Sequence, residues 1–426
     1  MVMFFFFQAE DGIRDLVRSR GLGDVYKRQT RRIFSRYGFT ELRPPVLEKT
    51  ELFLRGIGDD TDVVEKQMYT FTDKGGDSVT LRPEATACVL RAVIEHGLLG
   101  KDPIQKLYSI GPMFRYERPQ KGRYRQFHQI NAERLGEDGP LADAETLAMA
   151  YDLASSILGR DALLMEVNSL GCKECRQAFR SALEQFLESR QDRLCGDCRR
   201  RMHTNPLRVL DCKVETCREA MQDAPLMDVL LCKGCRDYHD MVLAGLDALG
   251  VRHEPNPRLV RGLDYYTRTT FEITAAGLGS QNAVAGGGRY DDLLNVLGGR
   301  QVGGIGFAFG MERMIMLMGD RRDRPAGCFV VAQPLPHIEL EALAVMAQLR
   351  SAGIRVEASL GRSFKAQMRR ADKAGYPLCA ILGEDEVKAA TLTVRDMKMA
   401  TQVKVSRAAV VDEITAILAD NKGERA

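Results

Sequence analysis

The sequence predicts an α+β domain, an antiparallel sheet flanked by helices, that carries a helical cysteine-rich insertion and is followed by a separate α/β domain. Three observations predict it. Apolar residues alternate along 104–116 and 124–135, and a strand-rich pattern returns across 258–308, as antiparallel strands require. Residues 168–250 break the pattern: they are charged, helical in spacing, and hold eight of the eleven cysteines. Beyond residue 327, strand-like and helix-like segments alternate regularly.

Taken in order, residues 1–29 open with MVMFFFF, too short for a signal core and without a basic leader. They resemble a translated sequencing-adapter fragment and are read as non-native. From Thr30, RRIFSRYGFTELRPPVLE reads as the tail of an amphipathic helix, a glycine turn, and an extended run into Pro44-Pro45. VTLRPE at 79–84 is a short strand leading to a helix from about Ala85 to His96. Residues 141–158 are apolar at helical spacing. The core thus comprises 30–167 and 251–320, the insertion 168–250, and the C-terminal domain 327–426. A segment rich in Arg and Asp, from about Asp320 to Gly327, links the core to the C-terminal domain.

With 61 Lys and Arg against 58 Asp and Glu, the chain is nearly neutral, so any surface for nucleic acid must be local. No apolar run approaches the ~20 residues that span a bilayer, so no membrane partner is expected; the chain is read as cytoplasmic. The glycine runs at 286–288 and 303–304 lack the context of a dinucleotide fold or a P-loop. They suit a close approach of a ligand or of another backbone.

The most telling segment is FRYERPQKGRYRQFHQINAE, from Phe114 to Glu133. It gathers Arg115, Arg118, Lys121, Arg123 and Arg125 around a turn between two strands. Alternation puts Arg125, Phe127, Gln129, Asn131 and Glu133 on one face. Cations at the tip and a polar row ending in Glu133 suit a polyphosphate beside a small polar molecule; a solvated basic hairpin is the plainer alternative.

This hairpin resembles motif 2 of the class II aminoacyl-tRNA synthetases, in the form typical of histidyl-tRNA synthetases. RGLDYYTRTTFE from Arg261 resembles the histidine-binding motif of that family, GGGRYDDL from Gly286 its companion, and GGIGFAFGMERM from Gly303 the class II motif 3. Order and spacing match from about residue 30 to the C-terminus. The resemblance implies a class II synthetase sheet, a motif 1 dimer interface, and a C-terminal anticodon-binding domain. It implies activation of L-histidine by ATP with Mg2+, and transfer to the 3′ end of tRNA(His). The family usually opens with an Arg-Gly-Thr-x-Asp segment, which is absent here.

It further implies that Arg115 clamps the α-phosphate, that Arg123 and Arg313 meet the triphosphate tail, and that Arg261 is a fixed cation beyond the α-phosphate. Glu84, Gln129, Glu133, Tyr265 and Tyr266 would line the histidine pocket, together with Arg261. Such a reaction needs no general base, because the attacking carboxylate is already ionised, so catalysis rests on positioning and charge neutralisation. A related class of inert regulators of ATP phosphoribosyltransferase generally lacks the C-terminal domain. In that domain Arg362, Lys365, Arg369 and Lys373 recur at helical spacing and could meet RNA phosphates.

The cysteines form four pairs, Cys172 with Cys175, Cys195 with Cys198, Cys212 with Cys217, and Cys232 with Cys235. Such spacing suits tetrahedral thiolate sites, and eight ligands suit two structural zinc ions. Unliganded thiols or an iron–sulfur cluster are the alternatives. The spacing leaves the pairing open, and His203 and His239 are possible substitutes. Cys88, Cys328 and Cys379 sit singly in apolar runs and read as core residues.

Overall fold

The structure is a computed structural model; it describes residues 22–58, 61, 63–117, 123–210, 212, 214–260, 265–276, 282–318 and 327–423. Two compact units divide at Gly319 and Asp320. No described helix is long and apolar enough to cross a membrane.

The first unit opens with the helix Leu22–Arg36, closed by Gly38 at φ +77°. This helix starts eight residues before Thr30, and Tyr26 is buried in the core, so position 29 is not an element boundary. Strand β1 is Thr40–Glu41. The strands β2 (Leu47–Lys49), β3 (Tyr69–Thr72) and β4 (Ser78–Leu81) form a small antiparallel sheet leading to the helix Thr86–Glu95. The long hairpin pairs β5 (Gln105–Phe114) with β6 (Gln126–Leu135), from Gln105 opposite Leu135 to Phe114 opposite Gln126.

Strands β7 (Leu163–Ser169), β8 (His253–Pro255), β9 (Thr267–Ala275), β10 (Ala283–Tyr290) and β11 (Gly304–Gly310) complete the main sheet. Its order is β1-β5-β6-β11-β10-β9-β7-β8. The six central strands run antiparallel, while β1 and β8 each join an edge in parallel, so the sheet is mixed at its rims. The helix Pro140–Leu158 backs one face. It buries Leu147, Ala150, Leu153 and Ala154 against Ile130, Ala132, Phe271, Phe307 and Phe309. Residues alternate across a strand, so Gln129, Asn131 and Glu133 look out from the opposite face.

The cysteine-rich region differs from its sequence outline at both ends. Residues 168 and 169 still belong to β7. The last helix, Lys233–Ala248, sends Val242 and Leu246 into the main core. Between them the helices Lys173–Glu188, Gly196–Thr204 and Glu215–Ala220 enclose a small core of Phe179, Leu183, Leu187, Met202 and Val209 among buried cysteines.

The second unit has the sheet order β13-β12-β14-β15-β16, with β12 Gly327–Ala332, β13 Arg355–Ala358, β14 Leu378–Leu382, β15 Thr391–Asp396 and β16 Gln402–Ser406. The first three strands are parallel and the last two antiparallel. The helix Phe364–Ala374 is pinned to β12 by the buried Gln367, whose amide pairs with both backbone groups of Ala332. Lys365, Arg369 and Lys373 lie exposed at four-residue spacing, with Arg362 exposed just before the helix. Cys88, Cys328 and Cys379 are fully buried.

Candidate active site and cysteine clusters

Register builds the site floor. Glu133 stands opposite Gly306, which stands opposite Gly288. The next row is Asn131, Ala308 and Gly286, and Gln129 faces Gly310. The polar row of β6 therefore borders strands with almost no side chain on that face. Near Glu133 the missing side chains admit the protein's own groups. A Cβ on Gly306 would lie 1.9 Å from a Glu133 carboxylate oxygen, and one on Gly288 would lie 2.9 Å from the Tyr266 ring. On that row the glycines make room for the pocket's walls.

Two carboxylates converge here. Glu84 is placed by Arg82, whose guanidinium donates to the carbonyls of Pro112 and Pro44 and so ties LRPE to β5. The Glu84 carboxylate accepts the amides of Thr86 and Ala87 at 2.8 and 2.9 Å, one on each oxygen. It thus caps the first turn of the helix Thr86–Glu95, where a negative charge is favoured. Each oxygen keeps a lone pair for a ligand. Glu133 is 1% exposed and accepts from the hydroxyls of Thr86, at 2.7 Å, and Tyr290. Burial pushes its carboxyl up to about 8, against the lowering pull of those two hydroxyls, with Glu84 adding a smaller upward push.

Above them, Tyr265 lies 4.6 Å from Tyr266 and 5.9 Å from Tyr290 between ring centroids. Burial raises the Tyr265 phenol well above its ordinary value, so it remains a hydroxyl donor. Gln129 Oε1 and Asn131 Nδ2 are buried with no protein partner. Buried polar atoms are nearly always paired. Two orphans on the face of Glu133 suit a polar ligand.

Three cations crowd the outer part. Arg115 Nε donates to the Pro83 carbonyl at 2.9 Å, and its guanidinium lies 5.5 Å from the Phe127 ring centroid. Burial depresses the Arg115 guanidinium, with Glu117, Glu84 and Tyr265 pulling the other way. Arg313 Nη1 donates to the Ala283 carbonyl at 2.9 Å; burial depresses it, followed by repulsion from Arg123. Arg123 pairs with Glu117 at 3.4 Å. The arrangement can receive several negative charges at once.

The structure thus brings together Glu84, Gln129, Glu133, Tyr265, Tyr266 and Arg115, with Arg123 and Arg313 beside them. Arg261, like the turn residues Arg118 and Lys121, lies outside the described residues. Sequence reasoning missed Thr86, Tyr290 and Glu312. The last receives the His128 amide at 2.8 Å and its ring at 3.0 Å, locking β6 to the motif 3 helix Met311–Leu317. Its signal was available, as the acidic residue of MERM.

Because Glu133 titrates higher folded than unfolded, its contribution to stability is fully present below the ordinary value of 4.5 and lost as pH rises through about 8. Glu133→Gln should therefore flatten the pH dependence. Between pH 5 and 8 the stability of the unmodified chain should fall relative to the variant by up to about 1.4 kcal/mol per pH unit, seen as a falling melting temperature. A difference in melting temperature that stays constant with pH would show that Glu133 keeps an ordinary carboxyl.

The cysteines form two separate clusters: Cys172, Cys175, Cys232 and Cys235, and Cys195, Cys198, Cys212 and Cys217. Within each, all four sulfurs lie within 4.8 Å of one another, so each cluster could hold a metal ion. The outer pairs share one cluster and the inner pairs the other, the pairing that spacing left open. His203 and His239 belong to neither cluster.

A family model described as histidyl-tRNA synthetase matches residues 22–314, and one described as an anticodon binding domain matches residues 329–417. The histidine–tRNA ligase of Syntrophotalea carbinolica is 51% identical over 390 residues, 89% of this chain and 91% of that protein. That of Desulfatibacillum aliphaticivorans is 47% identical over 412 residues, 96% and 98% of the two chains. Among solved structures, apo histidyl-tRNA synthetase of S. aureus superposes with a TM-score of 0.72 at 34% identity, over 92% of this chain and 95% of that one. With a family match over most of its length and relatives near half identical, the chain belongs to the histidyl-tRNA synthetase family.

Proposed function

We propose that this chain is a histidine–tRNA ligase, joining L-histidine to ATP as histidyl-adenylate and then to the 3′ end of tRNA(His), with release of pyrophosphate and AMP. The observation that carries the reading is the pairing of a buried two-carboxylate pocket with three crowded arginines on one sheet face. Glu84 receives the α-ammonium of histidine. Gln129, Glu133, Tyr265 and Tyr266 line the space for its imidazole, and their buried hydrogen-bonding groups reject amino acids that cannot pair with them.

Arg115 holds the α-phosphate, and Arg123 and Arg313 the departing pyrophosphate, through guanidinium forks suited to paired phosphate oxygens. Arg261 faces the α-phosphate from the other side. Mg2+ enters with ATP and screens the phosphate charge. The exposed row of Lys365, Arg369 and Lys373 meets the phosphates of the tRNA. Residues 1–29 are foreign to the enzyme, the motif 1 segment from Thr30 to Glu48 forms the homodimer interface, and the protein is cytoplasmic. Each cysteine cluster holds a structural zinc ion, because a closed four-thiolate shell leaves no position for catalysis.

Histidine-dependent ATP–pyrophosphate exchange tests the reading. The chain should catalyse exchange with histidine alone among the amino acids, and Arg261→Ala should reduce it by roughly 100-fold or more. A folded chain that binds ATP but performs no exchange would sink the proposal.

A further inference from the structure

The two cysteine clusters have different relations to the histidine pocket. Sulfurs of Cys172 and Cys175 are 3.6 Å apart, and those of Cys195 and Cys212 are 4.0 Å apart. A disulfide needs about 2.05 Å. Zinc–sulfur bonds of about 2.3 Å give a tetrahedron edge of about 3.8 Å. Backbone amides already point at the sulfurs: Cys172 N donates to Cys235 Sγ at 3.2 Å, and Cys232 N to Cys175 Sγ at 3.1 Å. Such outer contacts orient metal-bound thiolates.

In the first cluster, Cys172 begins the helix Lys173–Glu188 and Cys232 begins Lys233–Ala248. Residues near both grip the middle of the histidine motif, Tyr266 to Arg268. Leu170 N donates to Arg268 O at 2.6 Å and Arg268 N to Gly171 O at 2.9 Å, a two-bond clamp one residue from Cys172. Arg176, one residue past Cys175, donates to the Tyr266 carbonyl at 3.1 Å. Leu170 packs in the same cluster as Tyr265 and Tyr266. From the second helix, the Tyr238 ring lies 4.8 Å beneath the Arg268 guanidinium. Arg268 is held at φ +46°, a conformation that side chains rarely adopt unless their surroundings impose it.

Gly171 leaves no slack, since a Cβ there would lie 2.5 Å from that of Cys175. The second cluster reaches the core differently. Its neighbour Arg200 pairs with Glu65 at the surface, and Met221 O accepts from the exposed Arg258.

We propose that a metal ion bound by Cys172, Cys175, Cys232 and Cys235 braces the Tyr265–Tyr266 wall of the histidine pocket, so that its occupancy sets histidine affinity, whereas the second centre stabilises the insertion alone. This rests on the histidine-pocket reading above. Arg176 and the four cysteines are positioning residues, acting through Tyr266.

The full-length chain should contain two zinc ions per chain by elemental analysis, and Cys235→Ser and Cys198→Ser should each lose one. Titration calorimetry should show Cys235→Ser weakening histidine binding by roughly 10-fold. ATP affinity should stay within about 2-fold in the same variant, and Cys198→Ser should leave histidine affinity within about 2-fold. Arg176→Ala keeps every cysteine; it should retain both zinc ions and still weaken histidine binding. Equal effects of the two cysteine variants on histidine affinity, or an absence of zinc, overturns the proposal. So does Arg176→Ala with unchanged histidine affinity. Glu84→Gln separates the readings. If it leaves histidine binding intact in zinc-loaded protein, the pocket assignment itself has failed. If it abolishes binding while Cys235→Ser does not weaken it, only the brace has failed.

Discussion

Replacing Arg115 by Ala should lower ATP–pyrophosphate exchange by roughly 100- to 1,000-fold, the usual effect of removing one preorganised donor from a developing phosphate charge. Stability should not fall with it. Arg115 is desolvated and stands near the cations of Arg123 and Arg313, so the empty site carries the repulsion that bound triphosphate relieves. The melting temperature without ATP should be unchanged or higher in Arg115→Ala, and the extra stability conferred by ATP should shrink as its affinity falls. Arg115→Lys should recover little, since an ammonium keeps the charge but offers no planar fork, and it cannot reproduce the Nε bond to the Pro83 carbonyl. Exchange kinetics beside thermal melts with and without ATP check both halves. A variant that loses activity and stability together would mark Arg115 as a structural residue.

That split between charge for ligand and charge for fold was only partly legible in the sequence. Period-two alternation placed Gln129, Asn131 and Glu133 on one face, because pleating alone decides that. The hairpin, the helix after LRPE and the separate C-terminal unit followed from equally local signals. Contacts between distant strands were not legible. Tyr290 reaches Glu133 across 157 positions, and only the β10–β11–β6 register reveals it. Glu84 caps a helix at the place where the histidine-pocket reading needs a carboxylate, so the two roles are compatible. The cysteine pairing also depends on tertiary structure: spacings of two residues recur in both clusters, so spacing carries no partner information.

Arg289 is the sharpest case, because it stands in GGGRYDDL beside the pocket yet is turned away from it. It is 1% exposed and meets Asp143 at 2.9 Å and Asp291 at 2.7 Å, with Asp138 as a third partner. Asp143 is fully buried in the first turn of the helix Pro140–Leu158 and also accepts from Thr269 and Tyr238. Asp138 and Asp291 can turn to water when the guanidinium goes; Asp143 cannot. Arg289→Met should therefore destabilise the first unit by about 3–5 kcal/mol, the cost of leaving a buried charge without its partner. Adding Asp143→Asn should restore more than half of the loss, because the amide keeps hydrogen bonds without the charge.

Burial already raises the Asp143 carboxyl against the pull of Arg289, and without that cation it must rise further. A carboxyl that titrates higher folded than unfolded supports the fold below its ordinary value and loses that support as pH climbs. The deficit of Arg289→Met should consequently shrink as pH falls from 7 toward 5, while the double variant shows no such trend. Denaturant melts at the two pH values decide it, and a deficit that does not change with pH would mean that the loss lies in packing around the guanidinium. Since Tyr238 follows Cys235 on the helix Lys233–Ala248 and donates to Asp143, the same carboxylate also joins the sheet, its backing helix and the first cysteine cluster. A buried carboxylate satisfied together by the Arg289 cation and the hydroxyls of Thr269 and Tyr238 holds these three elements in a single register.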